Sequence, residues 1–356
     1  MWNRPNRNPA ECCVSPESNL RDALAAITLN QTGIVAVVDP DRKLLGTLTD
    51  GDVRRALLAG MDLTTTIALL IKDQKPVCAR LDAEYATLMA LLHDNNVRQI
   101  PLLDADDRVA DLVTLEDLLP GEVIPLQAVI MAGGFGQRLR PLTEKMPKPM
   151  LPVGDKPVME LIIGQLREFG IRKVNVTTHY EPEKIHDYFG DGRAFGVDLN
   201  YVSEDSPLGT AGALSLMDEK TEPLLVINGD ILTQVDFRAM LSFHREHKAV
   251  VTVGVRQYDL QVPYGVIESD GFAVTGLREK PVLNFFVNAG IYLLEPAVHQ
   301  FIPSGQHFDM TDLIKILLKE GHLVASFPIV EYWLDIGQHA DYAKAQEDVK
   351  AWNTPS

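Results

Sequence analysis

Residues 128–157, AVIMAGGFGQRLRPLTEKMPKPMLPVGDKP, hold the groups of this chain best suited to gripping a polyanion. Gly133, Gly134 and Gly136 follow an apolar run, where glycines let the backbone turn sharply and approach a ligand closely. Successive N–H groups in such a turn make a concave anion site of the kind that holds phosphates. Arg138 and Arg140 follow, and Lys148 stands between Pro147 and Pro149, whose rings stiffen the segment that presents it. Leu139 takes the place of the third glycine of a dinucleotide fingerprint, and the Gly-Lys-Ser/Thr ending of a P-loop is missing. Two carboxylates complete the set: Asp230 in Asn228-Gly229-Asp230 and Asp335 in Trp333-Leu334-Asp335-Ile336-Gly337, each after a short apolar run. A carboxylate presented there can bind Mg²⁺, which prefers one or two carboxylates together with phosphate oxygens. For either aspartate alone, an ordinary turn residue explains the sequence equally well.

The ungapped string G-G-x-G-x-R-L-x-P-L-T, followed by P-K-P-M-L-P-V, resembles the signature of sugar-1-phosphate nucleotidyltransferases. That resemblance implies a role for each matching residue. Asp230 and Asp335 would hold a catalytic Mg²⁺; Arg138 would stabilise departing pyrophosphate, Lys148 would serve the triphosphate, and Lys280 would hold the sugar phosphate. Ala132, Gly133 and Gly134 would lie along the nucleotide, and Glu204, Pro207, Gly209 and Thr210, in E-D-S-P-L-G-T-A-G, fall where the family reads the base. Gly265 after Tyr264, Glu279 in E-K-P and Asn288 in N-A-G-I-Y fall where it holds the sugar. The implied reaction is attack by a sugar-1-phosphate oxygen on the α-phosphorus of a nucleoside triphosphate. The base segment is more similar to the guanylyl and mannose-1-phosphate branch than to the thymidylyl branch, so GTP is the expected donor, with a hexosamine or hexose 1-phosphate as acceptor.

The elements that must carry these groups follow from the pattern. Apolar runs at Lys173–Thr177, Val197–Val202, Leu224–Ile227 and Ala249–Val255 alternate with helical stretches at Glu181–Phe189, Ala211–Met217 and Asp236–His247. A helix is expected from near Asp155, with Val158, Ile162, Leu166 and Phe169 on one face and Gly170 as its stop. Such alternation specifies an α/β fold, a mostly parallel Rossmann-like sheet covered by helices, with ligands at the carboxyl ends of the strands. His244 and His247, at i and i+3, resemble a metal pair without a third ligand and are expected to face solvent. Asp309–Asp312 is read as a structural helix start, and Ala340–Trp352 as a surface helix.

Before this region the chain repeats itself with an offset of 65 residues. A helical pattern, a strand (Ile34–Val38, then Ile100–Leu103), a turn and a second strand lead in both copies to Thr-x-x-Asp: Thr49 with Asp52, and Thr114 with Asp117. Thr three residues before an acid reads first as a helix capping box. The doubled arrangement resembles a tandem pair of CBS domains, an α+β module in which these Thr and Asp side chains hold the ribose of an adenine nucleotide. The resulting division is a disordered tail (1–10), the CBS pair (11–120, as about 11–66 and 67–120), a linker (121–126) and the nucleotidyltransferase domain (127–356). Joining the two modules resembles the glucosamine-1-phosphate guanylyltransferases of nonulosonic (legionaminic-type) acid synthesis. Association into a homodimer or higher homo-oligomer is expected from the CBS pair.

A net charge of −16 over 356 residues argues against a nucleic-acid backbone as partner, since such binders need a basic face. An acidic protein handling a polyanionic nucleotide must rely on a few local cations and a metal ion. Cys12, Cys13 and Cys78 form no metal or disulfide pattern, no apolar run reaches the length of a membrane span, and residues 1–10 do not read as a signal peptide; a cytoplasmic location is expected.

Overall fold

The computed structural model describes residues 7–72, 74–95, 97–118, 126–217 and 221–352. The chain divides into two compact units, Met1–Glu122 and Val123–Ser356. Of the expected tail, residues 1–6 lie outside the described residues, as does the expected linker apart from Leu126.

The first unit realises the internal repeat. One copy is a three-stranded sheet of Cys13–Val14, Ile34–Val38 and Leu44–Thr49; the other is Ala79–Arg80, Gln99–Leu103 and Val109–Thr114. In each, the first pairing is parallel and the second antiparallel. Ile34 and Gln99, Leu44 and Val109, and Thr49 and Thr114 all stand 65 residues apart, so the sequence offset is also the structural one. The copies meet through a bridge between Lys43 and Arg108 and through Arg42, which donates to the Val109 carbonyl at 2.7 Å. Cys12, Ile34 and Leu112 pack together in a fully buried cluster between them.

The second unit is built on a seven-stranded sheet in the order Asp198–Ser203, Lys173–Thr178, Gln127–Met131, Leu224–Asn228, Val282–Leu294, Val251–Gln261, Val324–Pro328. The first four strands run parallel, and Val282–Leu294 runs against both its neighbours. Side chains alternate across such strands, so both faces are apolar. Ala128 and Ile130 enter one core with Ile162, Leu166 and Phe237, while Val129 and Val226 enter the other with Tyr292, Met310 and Leu313. Helix Val158–Glu168 buries Val158, Met159, Ile162, Ile163 and Leu166, and Gly170, at φ +82°, follows its end as expected. Both faces are therefore occupied by packing, and only the strand ends remain for a ligand.

Two readings of the sequence are corrected. The stretch Ala211–Met217 is not one helix: a four-residue turn, Gly209–Gly212, passes into the 3₁₀ turn Ala213–Leu216, because glycines at both ends of the first turn supply little helix propensity. His244 does not face solvent. It is fully buried in helix Phe237–His247, with Nδ1 2.8 Å from the Thr252 hydroxyl and Nε2 3.0 Å from the Glu295 carboxylate. Two strand pairings were not foreseen, Ile231–Thr233 with Trp333–Asp335 and Val266–Asp270 with Ala273–Arg278.

Burial pushes the His244 imidazole below its ordinary value of 6.5, an effect that Glu295 opposes. The unfolded chain therefore takes up this proton before the folded one does. The stability that neutral His244 contributes is complete above that value and is lost as pH falls through it. Between about pH 7.5 and 5.5 the urea midpoint of the wild type should fall further than that of His244→Gln. Equal falls would show that His244 does not contribute to the acid sensitivity.

Candidate functional site

The glycine loop leaves strand Gln127–Met131 through Ala132, whose N–H donates to the Thr177 carbonyl at 3.0 Å. Gly133 lies against the Glu204 side chain: a Cβ there would lie 2.7 Å from Glu204 Oε1 and would displace that carboxylate. Gly136, at φ +61°, turns the chain into Gln137–Leu139, and buried Leu139 anchors the turn so that Arg138 projects from it. Thr143 locks the far side of the loop by donating to the Gly136 carbonyl at 2.7 Å. Lys148 opens a 3₁₀ turn directly after Pro147, at φ −58°, and Pro149 behind it is buried. A cavity of about 370 Å³ lies between these parts, lined by the Gly134–Leu139 loop with Lys148, Asp230 and Gly337.

Across that cavity the two aspartates come together by backbone pairing. Ile231–Thr233 pairs antiparallel with Trp333–Asp335, setting Ile231 opposite Asp335, and Ile336 donates to the Asp230 carbonyl at 3.1 Å. Gly229 lets the first segment lie on the neighbouring strand Gln127–Met131; its N–H donates to the Met131 carbonyl at 2.9 Å, and a Cβ would sit 2.8 Å from that oxygen. Lys148 pairs with Asp230 and lies 3.9 Å from Asp335. Gly337 sits beside the Arg138 guanidinium and both Asp335 carboxylate oxygens; a Cβ there would be 3.6 Å from each. Burial raises the Asp335 pKa, and the Asp230 charge raises it further, against the pull of Lys148 and Arg138.

These residues fit a divalent cation. Asp230 Oδ1 and Asp335 Oδ1 are buried and accept no hydrogen bond among the described residues, a costly state for carboxylate oxygens. Among the described residues no cluster of three or more His, Cys, Asp or Glu could close a metal site alone. Two carboxylates with open positions suit an ion that completes its shell with water and phosphate oxygens.

Of the expected base-reading residues Glu204 lies against the glycine loop, and the hydrogen bonds of Glu204 and Thr210 are largely satisfied. Glu204 is 8% exposed, Oε2 accepts from Leu208 N–H at 2.9 Å, and burial raises its pKa. It therefore braces the 204–208 loop against Gly133. The N–H and hydroxyl of Thr210 both donate to Asp309, at 3.0 and 3.2 Å, and Thr210 in turn accepts from Met310 N–H, so Asp309 ties two chain segments together. Pro207 is exposed, while Gly209, at φ +77°, begins the short turn. Phe135, 39% exposed, packs edge-on to His179 and tilted on Tyr180, an aromatic rim beside the loop that the sequence reading passed over.

The sugar-side residues form a separate group. A Cβ on Gly265 would lie 2.9 Å from Glu279 Oε2, so these two adjoin at the root of the Val266–Arg278 hairpin, and Lys280 follows at φ +44°; all three are exposed. Asn288 donates to Tyr292 Oη at 2.8 Å and accepts from Gly290 N–H at 3.0 Å. Gly290 abuts the Asn228 side chain, whose Oδ1 is a third buried oxygen without a partner, and Trp333 donates to the Ala289 carbonyl at 2.8 Å. The N-A-G, N-G-D and W-L-D segments thus meet, while Glu279 and Lys280 stand outside the cavity lined by Arg138.

In the first unit both Thr-x-x-Asp motifs make the capping contacts. Thr49 Oγ1 accepts from Asp52 N–H and Asp52 Oδ2 accepts from Thr49 N–H; Thr114 and Asp117 repeat the exchange. Asp52 also pairs with Arg55. Asp117 is gripped by Arg7, whose two terminal nitrogens each donate to one carboxylate oxygen at 2.9 Å while Nη1 also reaches the Leu112 carbonyl at 2.8 Å. The sequence reading had left Arg7 in the tail.

Residues 127–351 match the family model described as nucleotidyl transferase, and residues 5–59 and 71–120 each match that of the CBS domain. A UTP–glucose-1-phosphate uridylyltransferase of Synechocystis is 34% identical over 62% of this chain and 62% of its own length. A D-glycero-alpha-D-manno-heptose 1-phosphate guanylyltransferase of Aneurinibacillus thermoaerophilus is 34% identical over 63% of this chain and 99% of its own. The structure of HddC from Yersinia pseudotuberculosis aligns at a TM-score of 0.50 and 26% identity, over 63% of this chain and 99% of that one. The chain spans less than two thirds of the length of the first curated relatives it matches.

Removing the Asp335 charge should relieve both its burial and its repulsion with Asp230. In protein stripped of divalent cations by a chelator, Asp335→Asn should melt above the wild type near neutral pH. A lower Tm would mean that Lys148 and Arg138 more than offset those costs.

Proposed function

This chain belongs to the nucleotidyl transferase family, and on that premise we propose that it transfers a nucleotidyl group from a nucleoside triphosphate to a sugar 1-phosphate, releasing pyrophosphate. One observation carries the reading: Arg138, Lys148 and Asp230 line one cavity with the glycine loop, and Asp335, from a third distant part of the sequence, stands beside it, 3.9 Å from Lys148. A non-catalytic relative of the same fold would have no need to keep two partly buried carboxylates in mutual repulsion. The attacking phosphate oxygen is already an anion, so no general base is required, and the protein's task is positioning and neutralising charge.

Each group has a place in that task. The glycine loop offers its N–H groups to phosphate oxygens, and Arg138 beside it stabilises the pyrophosphate as it departs. Lys148 serves the triphosphate side from its stiff turn and meanwhile keeps the two carboxylates compatible. Asp230 and Asp335 would hold a divalent cation, Mg²⁺ in this reading, which would supply charge neutralisation between the reacting phosphates. Lys280 and Glu279 receive the sugar phosphate and sugar hydroxyls from the hairpin root, with Asn288 and Gly265 beside them.

GTP is the proposed donor, and glucosamine 1-phosphate or a related hexose 1-phosphate the proposed acceptor. The E-D-S-P-L-G-T-A-G segment supports guanine, as does the guanylyltransferase matched over nearly its whole length. The Synechocystis relative supports UTP as the alternative. The three cysteines are free, and no helix among the described residues is long and apolar enough to cross a membrane; a cytoplasmic place of action belongs to the same reading.

Pyrophosphate release measured as initial rates over a grid of triphosphates and sugar 1-phosphates with Mg²⁺ tests this directly. GTP should react fastest; preference for UTP or dTTP overturns the donor, and silence across the grid overturns the enzyme. Arg138→Ala should cost roughly 3 kcal/mol of transition-state stabilisation, about a hundredfold or more in rate. Asp230→Asn should abolish turnover while leaving the protein folded.

The CBS pair is proposed to bind an adenine nucleotide through Thr49, Asp52, Thr114 and Asp117, and to take part in homo-oligomer formation. A ribose reaching Asp117 must displace Arg7, so Arg7→Ala should bind AMP, ADP or ATP more tightly than the wild type in calorimetry, and Asp117→Ala more weakly. Coupling to the catalytic site should fall within about five- to 150-fold in affinity. No binding to any of the three nucleotides leaves the module a structural platform.

A further inference from the structure

We propose that the hairpin Val266–Asp270 with Ala273–Arg278 is a self-association surface, packing its apolar face against the same face of a second copy of this chain. The two strands are amphipathic. Ile267 stands opposite Leu277 and, past a bulge, Ser269 opposite Val274 on one face, whereas Glu268 and Arg278 form an ion pair of 2.9 Å on the other. The apolar face is bare: Ile267 is 55% exposed, Val274 67% and Leu277 64%, and Phe272 at the tip is fully exposed. A two-stranded hairpin is marginal in water unless its apolar face packs on something. Each of its edges also presents unpaired backbone groups.

Concentration, area and charge all point to a second copy as the cover. Of the 23 exposed large apolar residues among those described, ten lie between Tyr258 and Phe286. Four of the ten, Ile267, Phe272, Val274 and Leu277, are the hairpin's own, and the other six lie on the adjoining segments 258–264 and 282–286. A stable interface takes about 800 Å² from each partner, so the contact would extend from the hairpin onto those segments. The chain as a whole carries −16, which makes most of its surface repel another copy. Residues 256–286 instead hold four acids and three bases, a balance of −1, so like copies meet there at least cost. A face that matches itself is the geometry of a two-fold dimer. The hairpin's second strand runs directly into Glu279 and Lys280, so burying the hairpin would also steady the sugar-phosphate side of the site.

The test uses the full-length protein. Sedimentation equilibrium should give a wild-type mass that is an even multiple of 39.4 kDa, and Ile267→Asp with Leu277→Asp should halve it while the circular dichroism spectrum stays that of the wild type. Both positions are exposed in the single chain, so the substitutions leave its core intact. Amide exchange on the unmodified protein is the second reading: protection over 264–280 should fall on dilution through the dissociation range. A monomeric wild type, a double variant of undiminished mass, or exchange independent of concentration would each overturn the proposal, whether or not the protein turns over any sugar phosphate.

Discussion

Two partly buried carboxylates held side by side are the constraint to which the second unit answers. Asp230 and Asp335 repel, and desolvation makes the repulsion matter, as the upward shift of the Asp335 pKa records. The fold holds them by main-chain pairing, Ile231 against Asp335, which is indifferent to charge. Two cations then approach from stiff places: Lys148 from a turn with a proline on either side, and Arg138 from a turn pinned by Leu139. Without the ladder the carboxylates would separate, and without the cations their proximity would cost more than one short ladder returns.

The rest of the site divides by how firmly it is built. On the glycine-loop side, Gly133, Glu204, Leu208, Thr210 and Asp309 form a continuous chain of contacts, most of them hydrogen bonds. Their polar atoms are largely spent on one another, so what this side offers a ligand is chiefly the shape of the loop and the exposed Phe135 rim. On the sugar side, Gly265, Glu279 and Lys280 stand at the root of an exposed ribbon.

What was legible in the sequence was whatever local pattern determines. The parallel strands showed as apolar runs, the helix ending at Gly170 as a stripe and a stop, and the CBS repeat as a fixed offset. The ladder joining Ile231 to Asp335 was not visible, because three-residue strands carry no period and their pairing spans a long stretch of chain. His244 was misread because a histidine beside charged neighbours looks solvated, and only tertiary contact reveals Thr252 and Glu295 as its partners. Arg7 was misplaced for the same reason: nothing near it in the sequence announces a carboxylate over a hundred residues away. The Val266–Arg278 ribbon was lost among residues read singly for the sugar site.

The ladder also fixes the order in which the molecule can come into being. A ribosome delivers Asp230 long before Trp333–Asp335, so the growing chain presents one carboxylate without its opposing strand. Contacts of such sequence separation are the late ones, since their loop-closure entropy must be met before they return any energy. The last helix, His339–Trp352, follows the second aspartate at once and packs Ala345 and Val349 into the same core as Ile231 and Leu334. Completion of the core and pairing of the two carboxylates are therefore one event, and a half-made chain presents Asp230 without Asp335 beside it.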